Sequence, residues 1–202
     1  MTLPPLVPLG ELPSVRAALA AVRSRAPHHG LPALDPGTRE RVCAVVVSIA
    51  PHLATDRLTL LVRYALWSVV LDDRIDTPPP RPATRRATTA AGTPDPDPLP
   101  TTLGGILRHL SHYDPTGVAW TRCARTLREA ITDGTRHRRL GQAVVAGTRP
   151  PPTAEEYLAV AASSVNYLSF AYALLAAAGA RLTHAQADRL EPALRHAAYA
   201  VR

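Results

Sequence analysis

The sequence predicts an all-α fold, and three observations predict it. Alanine and leucine dominate a chain of 202 residues that is 46% apolar and only 4% aromatic, a composition that favours helices over sheets. No segment shows the strict apolar/polar alternation of a half-buried strand. The apolar runs are separated by proline clusters and opened by Ser, Thr or Asp, the punctuation that stops and starts helices. The length fits one domain with a sizeable core.

Residues 1–34 form a proline-rich arm with a short helix over Ser14 to Arg25. The opening "MTLPPLVPLGELP" has prolines where a secretory leader would carry its apolar segment, so none is expected. Gly37 and Thr38 open a helix that runs through "RERVCAVVVSIAP" to about Ile49. Thr55 is expected to cap the next helix, with Asp56 in its favourable first turn. That helix must stop at Thr77, before three prolines. Residues 78–101 hold eight prolines and are expected to be a surface loop or a disordered segment. Leu103 to His112 makes a short helix, and Asp114 or Thr116 starts a longer one through "AWTRCARTLREAITDGTRHRRL". After "AGTRPPP", Thr153 and Glu156 have the spacing of a capping box. The helix they open continues to Gly179, a fitting C-cap. The last helix starts near Thr183, is expected to kink at Pro192, and is still running at Arg202.

Net charge is +7, and all 23 basic residues are arginine. They are scattered, with no dense basic run and no interleaved aromatics, which argues against nucleic-acid binding. An anionic small substrate suits the charge better. Cys43 and Cys123 stand far apart in helical contexts and are expected to be reduced, half-buried thiols of a cytoplasmic protein. Residues Leu158 to Ala180 carry no charge and are long enough to span a bilayer. The stretch is alanine-rich and holds Ser163, Ser164, Asn166 and Ser169, so a buried central helix is the expectation and a membrane span is not.

The stretch "WSVVLDDRIDTPPP" carries the chemistry. An apolar run ends in Asp72, Asp73 and Asp76. Carboxylates are disfavoured at the negative pole of a helix and repel one another at this spacing. On a wheel of about 100° per residue, Asp76 lies about 40° and Asp73 about 100° from Asp72. Ala65, Val69 and Val62 fall on the same side upstream, while Trp67 is nearly opposite and is expected to pack in the core. Magnesium takes oxygen ligands and typically binds one or two carboxylates plus waters and substrate phosphates. A cation would supply the missing positive charge, and the apolar strip suits a hydrocarbon tail. The two features together describe a site for an amphiphile with a diphosphate head. His109 and His112 have metal-pair spacing but no third ligand nearby in sequence, and are expected to be solvated. Ser163 and Ser164 have no triad partners in sequence and either bond back to helix carbonyls or touch substrate where the helix breaks.

"LWSVVLDDRID" resembles the first aspartate-rich motif of class I terpene synthases. "EEYLAVAASSVNYLSFAYALL" resembles that family's central broken helix, and "LEPALRHAAYAVR" resembles the start of the helix that carries its second metal motif. The resemblance covers residues 35–202. It implies a partial class I terpenoid synthase helical bundle in which Asp72, Asp73 and Asp76 bind Mg2+. Val62, Ala65, Val69, Ser163, Ser164 and Asn166 would contact a prenyl diphosphate, and the family's chemistry is ionisation followed by cyclisation. The family's second motif is not present up to Arg202, so the chain is expected to be a fragment or a truncated product that does not turn over by itself. The arginine that many bacterial members use to sense diphosphate would fall near Ala161 and Ala162. "YLAVAASSVNYLS" instead resembles labdane-type diterpene synthases, which leans the substrate towards C20. A homodimer is compatible with this reading. The alternatives are a chain-elongating prenyltransferase, whose paired arginines have a poor match in Arg85 and Arg86, and a non-catalytic helical module that binds isoprenoids.

Overall fold

The computed structural model of the protein describes residues 16–21, 34–77, 98–158 and 166–200, and among these residues every regular element is a helix. Six helices carry the architecture: α1 (Pro36–Ile49), α2 (Thr55–Asp76), α3 (Pro98–Tyr113), α4 (Val118–Val145), α5 (Tyr167–Ala177) and α6 (His184–Ala200). Residues 16–21 and 154–158 are also helical. The rest of the expected arm, and most of the proline-rich stretch after Thr77, lie outside the described residues. No helix among the described residues is long and apolar enough to cross a membrane.

The helix α2 is the axis of the bundle, packed against α1, α3, α4 and α5. Leu58, Leu61, Val62 and Tyr64 are fully buried on different sides of it, and Trp67 is 2% exposed, so it is enclosed in the way a core helix is. Side-chain contacts fix the directions of its neighbours. The Tyr113 hydroxyl donates to Asp56 at 2.5 Å, and Trp67 Nε1 donates to the Leu99 carbonyl at 2.9 Å, so α3 runs antiparallel to α2. Arg57 donates to the Ala177 carbonyl at 2.9 Å, and Tyr64 meets Ser169 at 2.7 Å, so α5 is antiparallel to α2 as well. Tyr172 reaches Ala187 and Leu168 packs with Ala198, which turns α6 antiparallel to α5. Arg122 pairs with Asp188 and Arg195 with Glu129, so α4 runs parallel to α6. The C-terminal ends of α2, α4 and α6 therefore share one end of the bundle with the starts of α3 and α5.

Local chemistry explains the helix ends, and several differ from expectation. Asp35 caps α1, its carboxylate accepting from the Thr38 amide at 2.9 Å, with Pro36 pre-set for the first turn. The cap of α2 is Ala54, not Thr55, and no side chain bonds there. Thr55 is the first helical residue, and its carbonyl accepts the Thr59 hydroxyl. The helix ends at Asp76, as the prolines require, and both the amide and the hydroxyl of Thr77 donate to the Asp73 carbonyl, at 2.8 and 2.6 Å.

The third helix is longer than the sequence suggests. It takes in residues 98–101 of the expected loop, because Leu99 buries at 4% exposure and its carbonyl satisfies the Trp67 indole. Helix α4 starts at Val118, two residues after the later of its two expected starts. Gly117, in the left-handed region at φ 72°, precedes it and offers no side-chain cap. Asp114 does that work from outside the helix. Its carboxylate accepts from the Trp120 amide at 2.8 Å and from the Thr116 amide and hydroxyl at 3.1 Å.

The expected capping box at Thr153 is present, and a second one, not singled out from the sequence, opens α6 at Thr183. Thr153 and Glu156 exchange amide bonds at 3.2 and 3.0 Å, and Thr183 and Gln186 do so at 3.2 and 2.8 Å. Gly179, at φ 71°, ends α5 with bonds from Gly179 to Ala176 and from Ala180 to Leu175. This is the paired closure a left-handed C-terminal glycine permits. Pro192 lies inside α6, where it removes one backbone donor.

An ion-pair cluster joins α4 to α6. Glu191 accepts from Arg122 at 3.0 Å, from Arg125, and from Arg195 at 2.8 Å. Burial works to raise the Glu191 carboxyl, but bonds to Arg195 and Arg125 outweigh it, and the group lies below the usual range.

Two tests follow from these contacts. Asp114→Ala leaves three donors at the head of α4 without their acceptor and should cost about 2 kcal/mol in urea unfolding. A loss below a few tenths would refute the capping role. Because the folded-state pKa of Glu191 is lowered, its contribution is present above its unfolded value and is lost as pH falls through the folded one. Glu191→Gln should therefore flatten the decline in melting temperature below about pH 4.5, the ordinary glutamate value. An unchanged pH profile would contradict the pairing.

Candidate functional site

The residues singled out by sequence fall into three groups. Asp72, Asp73 and Asp76 stand exposed at the end of α2, with Arg74 in the same last turn. Ala65 and Val69 are half-buried on the strip that leads to them, while Val62, two turns or more upstream, is closed inside the core at 0% exposure. Asn166 is described, and Ser163 and Ser164 lie outside the described residues.

Asn166 sits where the expected continuous helix is interrupted. It is the one non-glycine residue among those described with positive φ, at 54°. The left-handed region costs an L-residue about 1–2 kcal/mol, and asparagine tolerates it best because its short side chain can bond locally. Here it bonds on both sides. Nδ2 donates to Ser68 Oγ of α2 at 2.6 Å, and Oδ1 accepts the Ser169 hydroxyl. Ser68 in turn donates to the Tyr64 carbonyl at 3.0 Å. The Tyr64 hydroxyl reaches Ser169 at 2.7 Å, and the Cys123 thiol donates to it at 3.9 Å. Burial holds the Tyr64 phenol well above its usual range. Burial also pushes the Cys123 thiol up to about 12, so this cysteine is an inert core group. Both cysteines are free.

The position of this polar cluster on α2 matters. Ser68 is four residues before Asp72, so it lies on the same face one turn away. The break in the α5 region is thereby joined to the strip that ends in the carboxylates. Ser68, Tyr64 and Ser169 were not expected as site residues. The signal available was Ser68 itself, a hydroxyl inside the apolar run "YALWSVVL", four residues before the aspartates.

Magnesium fits the donor set as a partly hydrated ion. All three donors are oxygens, all are exposed, and Asp72 and Asp76 are one turn apart. Among the described residues no three His, Cys, Asp or Glu side chains gather as a closed metal-binding group. Magnesium typically takes one or two carboxylates and fills its shell with water and phosphate oxygens. His109 and His112 are exposed, their rings 6.5 Å apart, and His112 Nδ1 bonds the Arg108 carbonyl at 2.6 Å.

Three open grooves lined by described residues lie elsewhere. One runs beside Arg122, Asp188, Glu191 and Arg195, one beside Asp56, Arg63, His109 and Tyr113, and one beside Arg125, Glu129 and Asp133. Comparison with protein-family models, curated proteins and solved structures returns no match to this chain.

The geometry at Asn166 predicts a ranking. Asn166→Ala removes the bonds to Ser68 and Ser169 and leaves an alanine in the left-handed region, at a cost of about 2 kcal/mol. Asn166→Gly loses the same bonds without the backbone penalty and should cost less. Urea unfolding of the pair measures this, and an alanine variant as stable as the glycine one would contradict the bonded left-handed break.

Proposed function

We propose that the protein binds a prenyl diphosphate through Mg2+ at the aspartate end of α2 and ionises and cyclises it, as class I terpene synthases do, with a C20 or labdane-type substrate favoured. The observation that carries this reading is the Asn166–Ser68 hydrogen bond. It sets a helix break against the α2 strip one turn before Asp72, which is the relation between broken helix and aspartate motif that the sequence resemblance implies.

The roles follow from position and chemistry. Asp72 and Asp76 would hold the metal, with Asp73 beside them in the same turn, and magnesium held there would supply positive charge against the departing diphosphate. The carbon–oxygen bond to the diphosphate breaks, the electron pair leaves with the phosphate, and the allylic cation remains on the hydrocarbon. Ala65 and Val69 offer the tail small apolar surface. Val62 supports that surface from inside the core, and Asn166 presents polar atoms beside the break; Ser163 and Ser164 lie outside the described residues.

A non-catalytic isoprenoid-binding module is the second reading, and one observation favours it. Among the described residues the carboxylates do not gather three to a site, so a single hydrated cation and a held diphosphate are enough to account for them.

Titration calorimetry with Mg2+ and geranylgeranyl diphosphate separates these readings from coincidence. Asp72→Asn should weaken metal-dependent binding at least tenfold, with the far-UV spectrum unchanged. Undiminished binding in this variant would sink both. Hydrocarbon or alcohol products from the wild-type protein would decide for catalysis over binding alone.

A further inference from the structure

We propose that the groove between α2 and α3 is an anion site, in which Arg63 of α2 and His109 of α3 hold one tetrahedral oxyanion: inorganic phosphate or the phosphate group of a small ester. The site is separate from the aspartates. Arg63 precedes Asp72 by nine residues, which places it about 180° away around the helix. The inference does not depend on the function proposed above.

The groove has a volume of about 160 Å3 and is lined by Asp56, Thr59, Leu60, Arg63, His109 and Tyr113. That is less than a drug-sized ligand needs, so its occupant is a small ion, and any ester group must point to solvent. Its one carboxylate is already engaged. The Tyr113 hydroxyl donates to Asp56 at 2.5 Å, a bond that holds the Asp56 carboxyl below its usual range. The Thr59 hydroxyl donates to the Thr55 carbonyl at 2.7 Å, and Leu60 forms an apolar floor at 6% exposure. The donors left over are Arg63 and His109. Neither has a hydrogen bond or ion pair among the described residues, although Arg63 is half-buried and a guanidinium cannot become neutral. The arginines between α4 and α6 show the contrast. Arg122 pairs with Asp188 and Glu191, Arg125 with Glu129 and Glu191, and Arg195 with the same two glutamates.

The two donors converge because the helices are antiparallel. Trp67 follows Arg63 by one turn on the same face and donates to the Leu99 carbonyl of α3, so this face of α2 looks towards α3. The bond between Asp56 and Tyr113 sets the level of the two helices. His109, one turn before Tyr113, stands level with Leu60, and Arg63 lies about 4.5 Å further along α2. Side chains lean towards the N-terminus of their own helix, and in an antiparallel pair these leans are opposed. The guanidinium moves back towards Leu60, and the imidazole moves forward towards Arg63. Geometry also selects the ligand. The planar arginine fork meets two oxygens of a carboxylate or phosphate with parallel bonds. A tetrahedral oxyanion keeps further oxygens outside the plane of the fork, where a second donor from another helix can reach them. An imidazole has an N–H to give in either charge state.

The test titrates the full chain with inorganic phosphate, phenyl phosphate and acetate, by calorimetry and thermal melting, in a phosphate-free buffer with EDTA. Wild type should bind phosphate saturably, and the melting temperature should rise with its concentration. Acetate should bind more weakly. Arg63→Gln should weaken phosphate binding about tenfold, and His109→Gln about threefold. Arg63→Lys keeps the charge but loses the fork, and should weaken binding too; with His109→Gln it keeps the test decisive if Arg63→Gln folds poorly. Arg128→Gln, at an exposed arginine of α4, should bind as wild type does. Phenyl phosphate binding as well as phosphate makes the ligand an ester, and its exclusion makes the ligand the free ion; both agree with the proposal. Four results would each overturn it: no saturable phosphate binding by wild type, full affinity in both Arg63→Gln and His109→Gln, an equal loss in Arg128→Gln, or acetate binding as tightly as phosphate.

Discussion

The hydrogen bond from Asn166 Nδ2 to Ser68 Oγ, 2.6 Å long, joins two helices at the point where one of them is interrupted. A left-handed residue exposes backbone groups that a continuous helix would satisfy internally, and inside a core such groups need partners. The Asn166 carbonyl accepts from the Ser169 hydroxyl and the Phe170 amide, both at 3.2 Å, while its side chain is held between Ser68 and Ser169 and Tyr64 closes the cluster. The members share their bonds: Ser169 meets Tyr64 as well as Asn166, and Ser68 meets the Tyr64 carbonyl as well as Asn166.

The apolar packing around this cluster makes it effective. Helix α2 is enclosed by four others, with Tyr64 and Trp67 6.2 Å apart and Tyr64 and Phe170 6.3 Å apart, both stacked. Trp67 is further tied to α3 through the Leu99 carbonyl. At the opposite end, Arg57 lies over the Tyr113 ring at 4.7 Å and donates to Ala177, pinning the start of α2 to the ends of α3 and α5. A helix fixed at its base and middle delivers its last turn, with Asp72, Asp73 and Asp76, to one defined end of the bundle. The ion pairs between α4 and α6 act outside this core. They are partly solvated and contribute mainly alignment.

Much of this was legible in the sequence because helix signals are local. The capping box at Thr153, the helix start near Thr183, the stop before the prolines at Thr77 and the C-terminal Gly179 each involve residues a few positions apart. Trp67 was placed in the core by its wheel position alone. What was not legible depended on distant partners. Pro98–Thr101 looked like loop until Leu99 found Trp67, and Asp114 caps α4 through a bend that its own position does not announce. The break at Asn166 needed Ser68, 98 residues away. Of the candidate site, the aspartates stood out by charge and spacing. Ser68 did not, since a serine in an apolar run acquires meaning only once α2 and α5 are side by side.

The central claim is that the carboxylate end of α2 is where a divalent cation and a diphosphate meet. Anomalous diffraction from crystals grown with Mn2+ and pyrophosphate tests it most directly, because the metal is then located by its own signal. The account predicts an anomalous peak within bonding distance of Asp72 or Asp76, with pyrophosphate oxygens completing its shell. Manganese bound at other residues, with no peak at these two aspartates, would contradict it.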